Sequence, residues 1–518
     1  MTITIEKIRL INFKRFKDYT ICPNGRLNIL VGDNEVGKSS VLEAIELVSS
    51  GNVRRVENIG LDKLMNVESI LCFNKNRKYE NLPEMIIELF LKGKFDHTMN
   101  GRNNSLGVIS DGIRLVCSPN DDYRNEINEF LKEETLVFPF EYYKIRFSTF
   151  SDETYSGYKK KLKTVLINSS NVDSEYATNN FIEKMYQRYT EENELERIEH
   201  RSKFRQMKFK FCEENLKLLN SRVPSDKKYK FALQNNYSKI FSNELMIYED
   251  SIALNNRGTG EQVLIKTDFA LEKAGENIDV ILFEEPENHL SHTNLKKLIS
   301  NIENKQTGQI FVTTHSSLIS TGLDLFNLII LSHKKNDVPL YLKTLNKDTS
   351  NYFLKAPPAG ILEFILSSKV ILVEGPSEYI LFDRFYKDIT GRHLNEDRIY
   401  VLAIRGLSFK RYLDIAKITG SRVAVITDND SDYEQKCIKK YENYNYDNIE
   451  IFFENDNDKP TFEYYIYDKN RSLCETKFGV NALDHMLKNK TNSALMLAES
   501  ENITTPKYIE RAINWIRK

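Results

Sequence analysis

Between Asn28 and Glu43 the chain reads Asn-Ile-Leu-Val-Gly-Asp-Asn-Glu-Val-Gly-Lys-Ser-Ser-Val-Leu-Glu: a short apolar strand, a glycine-bounded loop and the start of a helix. Gly32 and Gly37 bracket four residues and precede Lys38 and Ser39, the G-x-x-x-x-G-K-[ST] spacing of a phosphate-binding loop. No other stretch restricts the fold so tightly. A strand must deliver the loop and a helix must begin at once, so that backbone N–H groups curl around a phosphate chain at the helix N-terminus. Lys38 is expected to reach the outer phosphates and Ser39 to ligate Mg²⁺, with Asn34, Gly37 and Ser40 completing the nucleotide-binding set. ATP is the expected ligand. The bland alternative, a glycine-rich turn before an ordinary helix, is disfavoured because strand and helix are both in place.

At 518 residues the chain is too long for one core, so about two or three domains are expected. No apolar run approaches the roughly 20 residues of a membrane helix, and Met1-Thr-Ile-Thr-Ile-Glu-Lys lacks the basic start and apolar stretch of a signal peptide. A cytoplasmic chain with no membrane partner is the expectation. The six cysteines include no Cys-x-x-Cys pair, which argues against a disulfide framework and a structural zinc site. Net charge is −1, so any nucleic-acid contact must come from local basic patches.

Ile3 to Phe16 and Arg26 to Val31 alternate like strands feeding the loop, and Met85–Leu91, Gly112–Cys117 and Tyr142–Ser148 read as further strands. This predicts mixed α/β with an antiparallel portion. From Tyr158 to Arg222 the chain is highly charged and free of glycine and proline, which predicts an extended helical arm. Arg201–Lys210 is basic with aromatics between, and Lys159, Lys160, Lys161 and Lys163 form a second cluster. Both are candidates for DNA contact or plain solvated helix faces, and the arm serves equally well for dimerisation.

Further on, Asp279-Val-Ile-Leu-Phe-Glu-Glu-Pro-Glu-Asn-His-Leu-Ser291 is a buried-strand run ending in two carboxylates. Glu284 can hold Mg²⁺ through water, and Glu285 can orient and polarise the water that attacks the γ-phosphate. The next strand, Gln309–Thr313, delivers His315, placed to sense the γ-phosphate. These parts together resemble an ABC-type ATPase head, of the branch shared with chromosome-maintenance and DNA-repair proteins. In that family a signature loop from one head closes over the nucleotide of another. Gly258-Thr-Gly-Glu-Gln262 resembles that loop, which adds Thr259 and Gly260 to the nucleotide-binding set and implies a homodimer or higher homo-oligomer through head and arm. The family's metal-side carboxylate is usually Asp; here it is Glu284.

Asn346-Lys-Asp-Thr-Ser-Asn and Ala356-Pro-Pro-Ala-Gly360 read as a linker, followed by a short helix from Leu362 to Leu366. Then Lys369-Val-Ile-Leu-Val-Glu-Gly-Pro-Ser-Glu-Tyr379 reads as a buried parallel strand, a Gly-Pro turn and a helix. Glu374 stands at the strand's carboxyl end and Glu378 on the first helical turn. Arg422-Val-Ala-Val-Ile-Thr-Asp-Asn-Asp-Ser-Asp432 repeats the layout with Asp428 and Asp430. Carboxylates converging from adjacent strand ends repel unless divalent cations neutralise them, so a site for Mg²⁺ or Mn²⁺ is expected. A calcium EF-hand fails on spacing, with Tyr433 at the sixth position and Lys439 at the twelfth.

These residues resemble the Toprim domain of topoisomerases, primases and certain nucleases. An ABC head followed by a C-terminal Toprim domain, itself a Rossmann-like α/β fold, is the layout of the OLD (overcoming lysogenization defect) family of nucleases. The resemblance implies that Glu374, Glu378, Asp428 and Asp430 are metal ligands. It makes Glu463, in Pro460-Thr-Phe-Glu-Tyr464, a further ligand, and Lys490 the residue that stabilises charge at the scissile phosphate. The implied organisation is an ATPase head over 1–157 and 226–345, a helical arm over 158–225, a linker over 346–360 and a Toprim nuclease domain over 361–518. The implied function is ATP-regulated, metal-dependent DNA endonuclease action in anti-phage defence, with a defence-system protein or RNA as a candidate partner. The alternatives are a Toprim nuclease acting on tRNA or other RNA, and an ATP-driven DNA clamp or sensor that cuts nothing.

Overall fold

The first sheet grows from the alternation at the start of the chain. In the computed structural model, β1 (Thr4–Phe13) pairs antiparallel with β2 (Phe16–Ile21) and β4 (Met85–Lys92), and β6 (Ser110–Pro119) extends the sheet toward β5 (Asn100–Gly101) and β7 (Tyr143–Thr149). A register shift between Ile5 and Lys7 resets the alternation, so that Ile5, Ile8, Leu10 and Phe13 are all buried. The interleaved Arg9 pairs with Asp18 at 3.0 Å on the wet face.

The structure describes residues 3–132, 137–157, 160–168, 182–183, 185–186, 189–190, 193–224, 230–233, 244–258, 260–265, 278–288, 290–291, 294, 308–315, 325–331, 338–355, 360–404, 408–500 and 502–518. The chain divides into two compact units, Met1–Leu27 with Ser39–Thr314, and Asn28–Lys38 with His315–Lys518. Among the described residues no helix is long and apolar enough to cross a membrane.

In the first unit, β8 (Thr164–Asn168), β11 (Val280–Glu284) and β12 (Gln309–Thr313) run parallel. β11 and β12 are apolar on both faces, as parallel strands covered on each side must be. The buried amide of Gln309 ties this set to the antiparallel sheet, accepting from Ile5 N at 2.7 Å and donating to Ile5 O and Asn24 O. β9 (Tyr248–Glu249) and β10 (Ile252–Ala253) form a small hairpin. The charged segment forms a helix from Glu194 to Asn215, capped by Asn193, whose side chain accepts from Glu196 N. Leu195, Ile198, Met207, Phe209 and Phe211 are exposed along it.

In the second unit, β3 (Leu27–Val31) pairs parallel with β13 (Leu328–Ile330), which pairs antiparallel with β14 (Leu340–Tyr341). Residues read from sequence as linker are in part helical: Lys347–Lys355 forms a helix, while 356–359 lie outside the described residues. That helix is held by contacts far along the chain. Thr349 donates to Asp414 and accepts from Arg411, and Phe353 packs edge-on against Tyr412. The short helix Ile361–Leu366 follows.

Next comes a four-stranded parallel sheet of β15 (Lys369–Val373), β16 (Ile399–Ala403), β17 (Arg422–Ile426) and β18 (Ile449–Phe452), in the order β16-β15-β17-β18. The chain steps from β15 outward to β16 and returns to β17 on the other side. That reversal opens a crevice between the carboxyl ends of β15 and β17, where α/β sheets place their ligands. Helices Pro376–Thr390 and Lys507–Arg517 close the core, the latter burying Tyr508, Ile509, Ala512, Ile513 and Ile516 along one stripe.

Candidate functional site

The phosphate loop is shaped by main-chain constraints. A Cβ on Gly32 would lie 2.6 Å from the carbonyl oxygen of Leu331, so no other residue fits there without moving the backbone. Gly37 (φ 94°) and Glu35 (φ 65°) both take left-handed backbone. The helix Lys38–Ser50 starts directly, with no acidic residue in its first turn to compete for an anion at its N-terminus. Lys38 is buried; its Nζ donates to the carbonyls of Gly32 and Asp33 at 2.8 Å each and lies 3.4 Å from Nδ1 of His315. Lys38 and His315, far apart in sequence, are thus brought together. Asn34 and Ser39 are exposed, and Ser40 is partly so.

In the first unit, Glu284 closes β11 and Glu285 follows in left-handed backbone at φ 42°. Its N–H donates to both the carbonyl and the hydroxyl oxygen of Thr313, and its carboxylate accepts from Asn288 Nδ2 at 3.0 Å. A residue fixed at both backbone and side chain is held in one orientation, and strained backbone of this kind costs about 1–3 kcal/mol. Asn288, which orients Glu285, carries no motif of its own. Gly260 begins a described helical stretch in which Gln262 donates to the carbonyl of Arg257. Thr259 lies outside the described residues.

The second sheet gathers the acidic residues. Glu374 leaves β15 and accepts from Thr427 Oγ1 at 2.5 Å and from Asp428 N at 3.0 Å, so it is laced to the end of β17. Glu378 sits in the first turn of the helix Pro376–Thr390 and is buried. A Cβ on Gly375 would stand 3.1 Å from Glu378 Oε2, and its absence leaves that carboxylate room at the strand end. Glu463, buried in the first turn of the helix Phe462–Lys469, accepts from Thr461 Oγ1 and Lys490 Nζ at 2.9 Å each, and from Ser377 Oγ at 3.5 Å. Lys490 opens the helix Lys490–Ala498, which packs on Pro376–Thr390. Asp430 is exposed in the turn after β17, its N–H donating to Pro460 O.

The comparisons with known proteins follow this division. Residues 3–319 match the family described as AAA ATPase domain, and residues 365–430 match the family described as Overcoming lysogenization defect protein-like, TOPRIM domain. The chain belongs to the AAA ATPase domain family. Its fold is mixed α/β, an ATPase domain followed by an OLD-like TOPRIM domain with a parallel sheet, and the ATPase family implies ATP binding. The chain is similar to the DNA replication and repair protein RecF of Clostridioides difficile (strain 630), 29% identical over 184 residues, 33% of this chain and 47% of that protein. It spans less than half the length of the curated relatives it matches. Among solved structures it is similar to the SMC head domain from Thermotoga maritima (16% identity, 65% of this chain, 98% of that chain, TM-score 0.32). It is also similar to the C-terminal region of the Burkholderia pseudomallei OLD protein (18% identity, 29% of this chain, 97% of that chain, TM-score 0.23). The TOPRIM match takes in Glu374, Glu378, Asp428 and Asp430 and ends before Glu463 and Lys490.

Within the TOPRIM crevice the carboxylates feel one another. Burial, then the charges of Glu463 and Glu374, push the Glu378 carboxyl up to about 7. Burial and the charges of Glu374, Glu378 and Glu463 drive Asp428 well above the usual carboxylate range. Partial burial works against the Lys490 ammonium, yet its hydrogen bond to Glu463 and the charges of Glu463, Asp428 and Glu378 raise it above its ordinary value. Among the described residues no group of three or more Asp, Glu, His or Cys side chains is close enough together to hold a metal ion as it stands. As donors, however, crowded hard oxygens that raise each other's proton affinity fit a divalent cation. Thr427 and Ser377, which hold Glu374 and Glu463, carry no motif, and their sequence signal is their position beside motif acids; Thr461 belongs to the Thr-x-Glu element that the family resemblance singles out with Glu463.

Proposed function

We propose that this AAA ATPase–TOPRIM chain is an ATP-regulated endonuclease that hydrolyses DNA phosphodiesters at the TOPRIM crevice using Mg²⁺ or Mn²⁺. The observation that carries the reading is that Glu374 is tied to Asp428 N at 3.0 Å while Glu463 is tied to Lys490 Nζ at 2.9 Å and to Ser377 Oγ, next to the buried Glu378. A binding module has no use for carboxylates that raise one another's pKa in a buried crevice. The OLD-like TOPRIM match supports nuclease-type chemistry.

In this reading Glu374, Glu378, Asp428, Asp430 and Glu463 hold the cations. A divalent ion bound there lowers the pKa of water and offsets charge on a phosphodiester. Lys490 then offers a fixed ammonium to the scissile phosphate, with Glu463 holding it in place. In the ATPase domain, Asn34, Gly37, Lys38, Ser39, Ser40 and His315 take the nucleotide phosphates, Thr259 and Gly260 take the nucleotide of a second head, Ser39 and Glu284 take its Mg²⁺, and Glu285 orients the attacking water. ATP acts as a switch on cleavage, and the assembly is a homo-oligomer through head and arm, for which the exposed apolar residues of the helix Glu194–Asn215 are support. The cellular setting we attach is anti-phage defence in the cytoplasm.

Incubating the purified full chain with plasmid, linear DNA or tRNA, with Mg²⁺, Mn²⁺ or chelator and with or without ATP, tests the reading. DNA cleavage that needs the metal and changes with ATP is the expected result. Cleavage confined to tRNA moves the target to RNA. No cleavage of any substrate in either metal leaves a clamp or sensor and overturns the nuclease reading.

A further inference from the structure

Between Asp428 and Asp430 stands a residue the acidic motif does not explain. Asn429 is 1% exposed, while Asp428 before it is half-buried and Asp430 after it is exposed. Its Oδ1 accepts from Ser431 N at 3.0 Å. Its Nδ2 lies 3.0 Å from Glu454 O, 2.8 Å from Asp456 O and 2.9 Å from the hydroxyl of Tyr465, so two hydrogens are shared among three acceptors. The Tyr465 hydroxyl in turn donates to Asp456 O at 3.0 Å. One amide therefore joins three segments: the turn after β17, the loop that follows β18, and the helix Phe462–Lys469, which carries Glu463 two residues before Tyr465.

The turn it joins is strained. Asp430 and Ser431 are consecutive non-glycine residues in left-handed backbone, at φ 47° and 65°. Such backbone is unfavourable for L-amino acids and persists only where its surroundings over-determine it. The surroundings here are the Asn429–Ser431 bond, the Asp432 N–H on Asn429 O at 2.8 Å, and the Asp430 N–H on Pro460 O at 3.2 Å. Released from them, the turn relaxes toward ordinary backbone, and the Asp430 carboxylate moves relative to Asp428.

We propose that Asn429, braced by Tyr465, is a positioning residue for the metal site: it holds the strained turn that presents Asp428 and Asp430 in register with Glu463. The proposal rests on the reading of the crevice as a divalent-cation site. It assigns to the middle residue of an Asp-x-Asp motif a duty that the motif leaves blank, and it extends that duty to a tyrosine one helix away. Polar residues that orient metal-binding carboxylates characteristically change metal affinity by about 10–100-fold when removed.

The test is Mn²⁺ binding to the full-length protein, followed by electron paramagnetic resonance without nucleic acid or nucleotide, alongside ATP affinity and thermal unfolding. Asn429→Ala is expected to weaken Mn²⁺ binding by about 10–100-fold, and Tyr465→Phe by about 3–10-fold, with ATP affinity unchanged in both. Tyr465→Phe keeps the ring against Tyr508 and so carries the test if Asn429→Ala does not fold. Wild-type Mn²⁺ affinity in folded Tyr465→Phe overturns the inference. Asp428→Asn separates the two levels of the argument. If it loses Mn²⁺ while Tyr465→Phe does not, only the positioning role falls; if it binds Mn²⁺ like the wild type, the metal site and the positioning role fall together.

Discussion

The phosphate loop and the carboxylate crevice are built by opposite means. The loop is a main-chain object made from consecutive residues: Gly32 lets the backbone pass Leu331, Gly37 turns it, and Lys38 bridges the carbonyls of Gly32 and Asp33. The crevice is a side-chain object. Its acids come from Glu374, Glu378, Asp428 and Glu463, and its cation from Lys490, so it exists only once the parallel sheet and its helices have packed. The difference teaches where each site is fragile. A main-chain site fails when the path of the backbone changes; a side-chain site fails when its charge changes, with the backbone intact.

The largest effect should come from charge. Asp428→Asn preserves volume and removes a carboxylate whose ionisation is already opposed by burial and by Glu374, Glu378 and Glu463. DNA cleavage should fall by at least about 100-fold, while ATP affinity stays at the wild-type value. Thermal unfolding without metal should be unchanged or shifted upward, because the variant has one fewer charge to crowd. A gel-based cleavage assay, a nucleotide-binding titration and a melting curve check the three statements. Normal cleavage by the variant would remove Asp428 from the site.

Next comes the loop. Lys38→Ala deletes an ammonium held by two carbonyls, and ATP should bind about 10–100-fold more weakly, since charge-assisted hydrogen bonds contribute about 1.5–3 kcal/mol. Mn²⁺ binding in the crevice should not change. Gly32→Ala sharpens the contrast: it alters no charge, yet its Cβ would meet Leu331 O at 2.6 Å and force the loop aside, so it too should lose ATP affinity. If Gly32→Ala binds ATP normally, the loop is less dependent on its backbone path than this comparison holds.

How much of each site was legible in the sequence follows from the same contrast. The loop was readable in full because its parts are contiguous, and Lys38 needed only His315 from elsewhere. The acids at the ends of β15 and β17 were readable because strand, turn and acid recur as a unit. Glu463 and Lys490 lie outside any such unit and were reached through resemblance to a family; the structure joins them by a 2.9 Å bond. Asn429, Thr427 and Asn288 were not readable, because each acts on atoms that arrive only with folding. The helix Lys347–Lys355 was read as linker for a related reason. Its polar sequence suggests a loop, and what holds it is Asp414, Arg411 and Tyr412, far along the chain.

The smallest effect tests how finely the crevice depends on single hydrogen bonds. Thr461 donates to Glu463 Oε2 at 2.9 Å, the same oxygen that accepts from Lys490. Thr461→Val keeps the branched shape at the helix start and removes only the hydroxyl. Lys490 still holds the carboxylate, so the loss should be that of one net hydrogen bond, about 0.5–1.5 kcal/mol, or about 2–12-fold in Mn²⁺ affinity. A side-chain site must register this change, whereas ATP binding at the loop must not. An Mn²⁺ titration of the variant alongside the wild type decides it. Affinity lost by 100-fold would mean that Thr461 does more than orient Glu463, and no change at all would mean that Lys490 alone fixes that carboxylate.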